Sequence, residues 1–326
     1  WKMSPSRRPN AKPADVVVPP NIKVTVADQV YIDRTGLPSA MIAQLVRVAA
    51  FQNPEFYRAQ AMRLPTFGKP RVVSCAELHP RHVALPRGCF DEAVEVLTEH
   101  GAQAELDDQR SDGTPLPNTV QFLDELRPPQ QRAFESLTGH DTGVLAATTA
   151  FGKTVVASAL IGHRARNTLV LVHRRELLDQ WVERLKTFLQ IDPKQIGTIG
   201  GGRRKPTGVI DVALIQSLVR NGEVDDIVAD YGQLIVDECY HLSAASFELV
   251  ARRTKARYVV GLSATVARKD GHHPIIFMQC GPVRHQVHAR SQAAESGIPR
   301  DDFLRFAYIE TGGQFNADDH NRSEER

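Results

Sequence analysis

The sequence predicts an α/β fold, a parallel sheet with helices on both of its faces, preceded by a small α+β domain. From about Val120 to Val283, short apolar segments alternate with helical ones. Strands that are apolar on both sides and separated by helices are typical of a parallel sheet covered by helices. Residues 21–110 follow a different pattern, in which Ile22, Val24 and Val26 alternate with polar residues.

The positions of the apolar residues predict each element in turn. In the small domain they predict helices at 38–50, 54–62 and 91–100, and strands at 22–26, 30–32, 71–74 and 82–85. In the larger domain, at 120–283, they predict strands at 143–147, 168–172, 209–214, 233–236 and 258–261, and helices at 153–163, 175–189 and 244–253. The turn-rich segment 111–118 separates the two domains.

The two ends of the chain differ from its middle. Residues 1–20 are rich in proline and basic residues and predict a disordered lead, and residues 284–326 predict a polar tail. Because the chain begins with Trp1 rather than Met, we interpret it as a fragment of a longer polypeptide.

Composition excludes several classes of protein. The 326 residues are 42% hydrophobic, and no apolar segment is long enough to span a membrane. The four cysteines form no Cys-x-x-Cys pair, which argues against a zinc site or a disulfide framework and favours a cytoplasmic location. The formal net charge is only +2, so binding to nucleic acid would have to come from local patches.

One segment has the pattern of a phosphate-binding loop. Residues 147–154 read Ala-Thr-Thr-Ala-Phe-Gly-Lys-Thr and lie between a predicted strand and a predicted helix. Backbone N–H groups gathered at a helix N-terminus can surround a phosphate. Lys153 then reaches the β- and γ-phosphates of ATP, Thr154 ligates Mg²⁺, and Gly152 leaves room for the phosphates. The predicted ATP-binding residues of this loop are Ala147, Thr148, Thr149, Ala150, Phe151, Gly152, Lys153 and Thr154.

A second motif lies downstream, where the apolar strand predicted at 233–236 ends in Asp237 and Glu238. Ligands of parallel sheets sit at the carboxyl ends of the strands. Asp237 is therefore predicted to hold Mg²⁺, and Glu238 to orient or deprotonate the attacking water. An isolated Asp-Glu pair is usually a solvated turn, but the loop upstream favours the catalytic interpretation.

These motifs resemble those of superfamily 2 helicases of the DEAD/DEAH type, whose second motif reads Asp-Glu-x-Asp/His. The resemblance covers roughly residues 126–283, the first RecA-like lobe of such enzymes, and is nearest to XPB-like and type III restriction helicases. Further matches follow in the family's order at 126–130, 171–181, 215–218 and 263–265. The resemblance implies that Gln130 reads the adenine base and that Ser263, Ala264 and Thr265 couple hydrolysis to nucleic-acid binding.

The chain departs from the family at Tyr240, where His or Asp is usual. That side chain bridges the second motif to the coupling segment in the family. Tyr is larger and does not titrate near neutrality, so we expect hydrolysis to be retained and its coupling to motion to be altered.

The resemblance also implies contacts with nucleic acid, DNA in the first place, with RNA left open. Segment 200–205 is expected to be a loop whose glycines allow close approach and whose cations pair with phosphates, although a solvated basic loop explains it equally well. The predicted contact residues are His173, Arg174, Arg175, Gly201, Gly202, Arg203, Arg204, Gln216 and Ser217.

Two looser resemblances concern the rest of the chain. Segment 84–88 of the small domain resembles the damage-recognition-type domain of XPB-like and phage repair helicases, and a structural appendage is the alternative. The chain as a whole resembles helicase modules found beside primases in bacterial conflict systems.

No segment after residue 265 matches the arginine-finger motif of a second lobe. We therefore expect this chain to bind ATP and nucleic acid, to hydrolyse ATP slowly, and to need a second RecA-like lobe, in a longer polypeptide or another chain, for unwinding. The alternative is a clamp that does not hydrolyse ATP and uses it only to change affinity. A P-loop kinase is disfavoured because it explains neither Gln130 nor the segment 263–265.

Overall fold

The computed structural model describes residues 18–239, 244–264 and 273–287. Within them the chain forms two packed units, a small α+β domain and a larger α/β domain. The predicted disordered lead lies almost wholly outside the described residues, as do Tyr240, Thr265 and the predicted tail beyond residue 287.

The small domain is built on a five-stranded sheet with the strand order β5-β6-β2-β1-β7. The strands of this domain are β1 Asn21–Val26, β2 Val30–Asp33, β3 Ala50–Gln52, β4 Val72–Ser74, β5 Glu77–Leu78, β6 His82–Leu85 and β7 Gln103–Asp108. Its helices are α1 Ser39–Val48, α2 Pro54–Ala61 and α3 Phe90–Glu99. Strands β3 and β4 form a separate antiparallel pair. Strand β7 is not predicted from the sequence because four of its six residues are charged or Gln, and it is held by parallel pairing with β1.

The larger domain contains an eight-stranded sheet with the order β11-β10-β12-β9-β15-β16-β8-β17. The strands of this domain are β8 Thr142–Ala146, β9 Thr168–Val172, β10 Ile196–Gly200, β11 Arg203–Lys205, β12 Ile210–Leu214, β13 Val219–Arg220, β14 Glu223–Val224, β15 Gln233–Val236, β16 Tyr258–Ser263 and β17 Val283–Gln286. Strands β13 and β14 form a separate antiparallel pair. Its helices are α4 Pro128–Thr138, α5 Lys153–Arg164, α6 Arg175–Phe188, α7 Ile215–Leu218, α8 Ala244–Arg253 and α9 His273–Cys280. Neighbouring strands of the large sheet run parallel, apart from the antiparallel pair β10–β11.

Helices cover both faces of this sheet, which confirms the predicted fold class. One face packs on α4, α5 and α6 around residues such as Leu160, Trp181 and Leu185. The other packs on α7, α8 and α9, with Phe247 and Ile276 among the buried residues. Strands β9, β12 and β15 are buried along their whole length, which explains their mainly apolar sequence; Thr168, Asp211 and Gln233 are their buried polar residues.

The sequence prediction was wrong about segment 200–205, which is not a simple loop. Gly200 ends β10, Gly201 and Gly202 form a tight turn with positive φ angles, and Arg203 begins the edge strand β11. Three exposed cations form β11, so propensity gives no sign of a strand; antiparallel pairing with β10 creates it.

The predicted end of the larger domain at residue 283 falls inside β17. This strand pairs in parallel with β8, and its polar residues stand at the edge of the sheet. The sequence there lacks the apolar pattern of a central strand because an edge strand is only partly covered.

The small domain is joined to the larger one by a buried arginine. Arg87 donates to the carbonyl oxygen of Ala256 at 2.7 Å, to that of Asp28 at 3.2 Å and to that of Thr254. Burial lowers the pKa of the Arg87 guanidinium to about 10, so it stays charged at neutral pH. A side chain on the neighbouring Gly88 would lie 2.2 Å from the carbonyl oxygen of Phe277, so the two backbones touch directly.

Apolar contacts extend the same interface. Ile275 and Met278 of α9 belong to the core of the small domain. Because residues 254 and 256 precede β16, the small domain lies at the amino edge of the large sheet. The carboxyl edge is left for the motifs identified above.

Candidate functional site

The loop after β8 connects this strand, which lies between β16 and β17, to helix α5. The Ala147 amide donates to the Ser263 carbonyl oxygen at 2.9 Å, which ties the start of the loop to the end of β16. Residues Thr149–Phe151 form a short 3₁₀ turn, and α5 begins at Lys153. The predicted phosphate-binding segment therefore has the strand–turn–helix setting that its chemistry requires.

Gly152 is required by the fold of the loop itself. Its φ angle is +84°, a conformation that favours glycine, and a Cβ atom there would lie 2.6 Å from Gln130 Nε2. Gly152 was predicted to leave room for phosphates; in the structure it also leaves room for the Gln130 side chain.

Lys153 joins the phosphate-binding loop to the second motif. Its buried ammonium lies 3.4 Å from Glu238 Oε1 and donates to the carbonyl oxygens of Ala147 at 3.1 Å and Thr148 at 3.5 Å. The acidic motif and the loop, distant in sequence, therefore converge at one edge of the sheet.

Asp237 is a buried carboxylate held by two donors. Oδ2 accepts a hydrogen bond from Trp181 Nε1 at 2.7 Å, and Oδ1 accepts one from the Glu238 amide at 3.0 Å. Burial raises the pKa of Asp237, whereas the Trp181 bond and the charge of Lys153 lower it. A cation in front of this carboxylate would compensate the cost of its burial.

Glu238 stands in a strained backbone conformation. Its φ angle is +45°, which is uncommon for a residue with a side chain. Such strain costs on the order of 1–3 kcal/mol and is concentrated at functional sites. Here it turns the Glu238 side chain toward Lys153.

Gln130 and Arg127 support the phosphate-binding loop from α4. Gln130 Nε2 and Arg127 Nη2 each donate to the Phe151 carbonyl oxygen at 2.8 Å. Gln130 Oε1 also accepts from the Arg127 amide at 3.0 Å, which caps the helix. The predicted base-reading residue thus contacts the phosphate-binding loop, and its role in reading adenine remains a prediction.

The predicted nucleic-acid contacts lie at the ends of β9, β10 and β12, which are adjacent at the carboxyl edge. Gln216 Nε2 donates to the His173 carbonyl oxygen at 3.3 Å. A Cβ atom on Gly201 would lie 3.2 Å from Arg175 Nε. Three segments that are separate in sequence therefore form one surface, in which Arg174, Arg175 and Arg203 are exposed.

Comparison with known proteins agrees with this geometry. Residues 123–268 match the family model of the type III restriction enzyme res subunit. The chain is 29% identical over 181 residues to the DNA 3'-5' translocase XPB2 of Sulfurisphaera tokodaii, covering 56% of this chain and 40% of that protein. It is 28% identical over 180 residues to the DNA 3'-5' helicase XPB of Mycobacterium tuberculosis, covering 53% of this chain and 32% of that protein.

The chain carries a superfamily 2 DEAD/DEAH-type helicase lobe. The matched region spans less than half the length of those two curated relatives. A crystal structure of the UvsW helicase from bacteriophage T4 shares the fold, with a TM-score of 0.60 and 16% identity over 81% of this chain and 99% of that one.

Two of the predicted coupling residues of this helicase lobe are in place. Ser263 is buried at the end of β16, and its carbonyl oxygen holds the start of the phosphate-binding loop. Ala264 follows it directly. Their role in coupling remains a prediction.

Trp181 and Arg127 are functional candidates of the lobe that sequence reasoning missed. Trp181 lies on the apolar face of α6 with Leu178 and Leu185, and this spacing predicts a core residue. The only available signal was that a buried indole N–H needs an acceptor. Arg127 precedes Pro128 and looks like an ordinary residue before a helix.

Within the described residues, no helix is long and apolar enough to cross a membrane. In the same residues there is no cluster of three or more His, Cys, Asp or Glu side chains that could hold a metal ion by itself. A site that binds Mg²⁺ through one carboxylate, a hydroxyl and substrate phosphates does not need such a cluster.

Proposed function

We propose that this lobe binds ATP with Mg²⁺ at the edge formed by β8, β15 and β16, hydrolyses it, and works as part of a nucleic-acid helicase or translocase. The observation that carries the proposal is the 3.4 Å contact of Lys153 with Glu238, beside the buried carboxylate of Asp237. A cation, a metal-binding carboxylate and a base at one strand edge are the parts that phosphoryl transfer needs.

Each residue has a distinct part in the proposed mechanism. Lys153, now paired with Glu238, turns to the β- and γ-phosphates when they enter the loop. Glu238 is then free to orient the attacking water and accept its proton. Asp237 and Thr154 would hold a Mg²⁺ ion, which would supply positive charge to neutralise the phosphate oxygens. Gln130 contacts the adenine base, and its hydrogen bond to the Phe151 carbonyl oxygen connects that contact to the loop.

DNA is the proposed track, supported by the names of the matched relatives and by the exposed cations at the carboxyl edge. RNA remains open. A second RecA-like lobe, in the same polypeptide or in another chain, is the proposed partner, because an arginine finger supplied by such a lobe contributes about 10³–10⁵ in rate.

The test is ATP turnover with and without single-stranded DNA. Glu238→Gln keeps the size of the side chain and removes the base, so turnover should fall by about 10²–10⁴-fold while ATP binding persists. Lys153→Ala should abolish ATP binding. Glu183→Gln, an exposed change on α6, serves as the matched control.

Unchanged turnover in Glu238→Gln would favour the alternative, a clamp that uses ATP only to change its affinity for nucleic acid. Failure of the wild-type chain to bind ATP with Mg²⁺ would overturn both.

A further inference from the structure

The small domain exposes a basic loop with an aromatic residue at its tip. The loop connects α2 to β4, and within it Phe67 is 99% exposed, Met62 65% and Leu64 55%. A single exposed apolar side chain is ordinary, but several in one loop are a feature of binding surfaces.

The loop is also the site of an unbalanced charge. Residues 56–76 contain Arg58, Arg63, Lys69 and Arg71 and no acidic residue, whereas the whole chain has a formal net charge of only +2. Within the described residues, neither Arg63 nor Lys69 is paired with a carboxylate. The loop itself holds three of these cations, Arg63, Lys69 and Arg71, together with an aromatic tip, and this composition matches a polyanion with exposed bases.

A tight turn directs the phenyl ring outward. The Lys69 amide donates to the Thr66 carbonyl oxygen at 3.1 Å, and Gly68 has a φ angle of +75°. This is the arrangement of a β-turn with glycine at its third position, and Phe67 occupies the second position at the apex. A Cβ atom on Gly68 would meet no other atom within 4 Å, so nothing packs against the turn on that side.

The base of the loop is fixed by the buried residue Asn53. Its amide donates to the Arg71 carbonyl oxygen at 2.9 Å, and its Nδ2 donates to that of Pro70 at 2.8 Å. The Arg71 guanidinium lies over the Phe56 ring at 5.4 Å. The loop is therefore held in its outward position before any ligand arrives, which lowers the entropy cost of binding.

We propose that this loop is a single-strand contact, in which Phe67 stacks on an unpaired base and Arg63 and Lys69 pair with the flanking phosphates. The inference rests on the proposed function, because it assigns a second nucleic-acid contact to the same helicase. It belongs to the domain packed at the amino edge of the large sheet, apart from the predicted contacts of Arg174, Arg175 and Arg203.

The experiment compares binding of labelled oligothymidylate and of duplex DNA to the full chain by fluorescence anisotropy. Base stacking on an aromatic side chain contributes roughly five- to 150-fold in affinity. Phe67→Ala and Phe67→Leu should both lose roughly this factor for the single strand, with a smaller loss for the duplex. Phe67→Tyr should retain the affinity. The control is Leu123→Ala, which removes an apolar side chain that is 59% exposed on the larger domain and should leave the affinity for both DNA forms unchanged.

A second readout reports the contact itself. Phe67→Trp places an indole at the apex, and its emission, measured above that of the wild type, should be quenched when oligothymidylate saturates the protein. The double change Arg63→Ala with Lys69→Ala should lower the salt dependence of single-strand binding by about 0.7 in slope for each lost phosphate contact.

Full affinity in Phe67→Ala, full affinity in Phe67→Leu, or unquenched emission at saturation would each overturn the inference. Retention in Phe67→Leu would indicate an apolar surface for a protein partner instead. Failure of the proposed function looks different: the wild type would then not bind or hydrolyse ATP, and changes at Arg174 and Arg175 would not affect binding.

Discussion

At the scale of single residues, the site depends on how one buried carboxylate is stabilised. Asp237 is only 7% exposed, and burial raises its pKa, while a hydrogen bond from Trp181 and the charge of Lys153 act in the opposite direction. The net effect is a raised pKa, so ionised Asp237, the form that would bind Mg²⁺, is held in a place that disfavours charge. Stability and function are therefore opposed at this residue.

Replacing Trp181 by Phe should shift the pH dependence of ATP turnover. The variant keeps the ring but loses the donor to Asp237, so the pKa of Asp237 rises further and the acid limb of the profile moves to higher pH. Tyr231→Phe is the matched control, because it removes a buried donor to the carboxylate of Asp211 outside the site. Equal pH profiles in the wild type and Trp181→Phe would contradict the assigned role.

Asp237→Asn should stabilise the nucleotide-free protein above acidic pH. A raised folded-state pKa means that the stability due to protonated Asp237 is present at low pH and lost as the pH rises through that pKa. Asparagine avoids this loss. The free energy of unfolding of Asp237→Asn, measured by denaturant unfolding, should therefore exceed that of the wild type by more as the pH rises. Asp33→Asn should show the opposite sign, since hydrogen bonds from Thr35 lower the pKa of Asp33. A variant no more stable than the wild type at neutral pH would show that Lys153 outweighs the burial.

At the scale of elements, the edge hairpin β10–β11 determines which cations face a ligand. The turn at Gly201 and Gly202 brings the backbone close to Arg175. Arg204 is paired with Asp225, so its charge is partly neutralised, whereas Arg203 is exposed. The sequence predicts a nucleic-acid contact for both arginines, whereas the structure shows that the charge of Arg204 is already paired.

Arg203→Ala should lower the slope of log affinity against log salt for single-stranded DNA by about 0.7, the value for one phosphate contact. Arg204→Ala should change it less, because Asp225 already neutralises part of the charge of Arg204. The control is Lys194→Ala, which removes an exposed cation just before β10, at the amino edge of the sheet. Filter-binding or anisotropy titrations over a range of salt concentrations measure the slope, and equal effects from Lys194 and Arg203 would argue against a contact at the hairpin.

At the scale of the whole molecule, the two domains share a continuous packed interface. The buried guanidinium of Arg87 satisfies carbonyl oxygens of both domains, and α9 completes the core of the small domain. Ion pairs add to it, among them Arg110 with Asp141 at 2.9 Å. The small domain is therefore expected to unfold together with the larger one.

Arg87→Ala should break this cooperativity. It leaves buried carbonyl oxygens unpaired, at a cost of roughly 1–3 kcal/mol each. Calorimetry should show one unfolding transition for the wild type. For the variant it should show a transition at lower temperature, or two separate transitions. Arg34→Ala removes a partly buried arginine that bonds within the small domain and should leave the transition intact. An unchanged transition in Arg87→Ala would mean that the apolar contacts alone join the domains.

The sequence by itself determined the α/β class, most of the large-sheet strands and the convergence of Lys153, Asp237 and Glu238. It could do so because parallel strands place their carboxyl ends at one edge, so that residues following two strands meet whatever their distance along the chain. Local pattern and this one topological rule were sufficient.

Only the tertiary structure decided the donor of Asp237, the support of the loop by Arg127 and Gln130, the hairpin strand β11, the edge strand β17 and the buried Arg87. Each of these depends on a contact between segments that no periodicity connects. A buried indole, a polar edge strand or an interface arginine looks ordinary in sequence, because its role is defined by the acceptor or strand that the fold brings beside it.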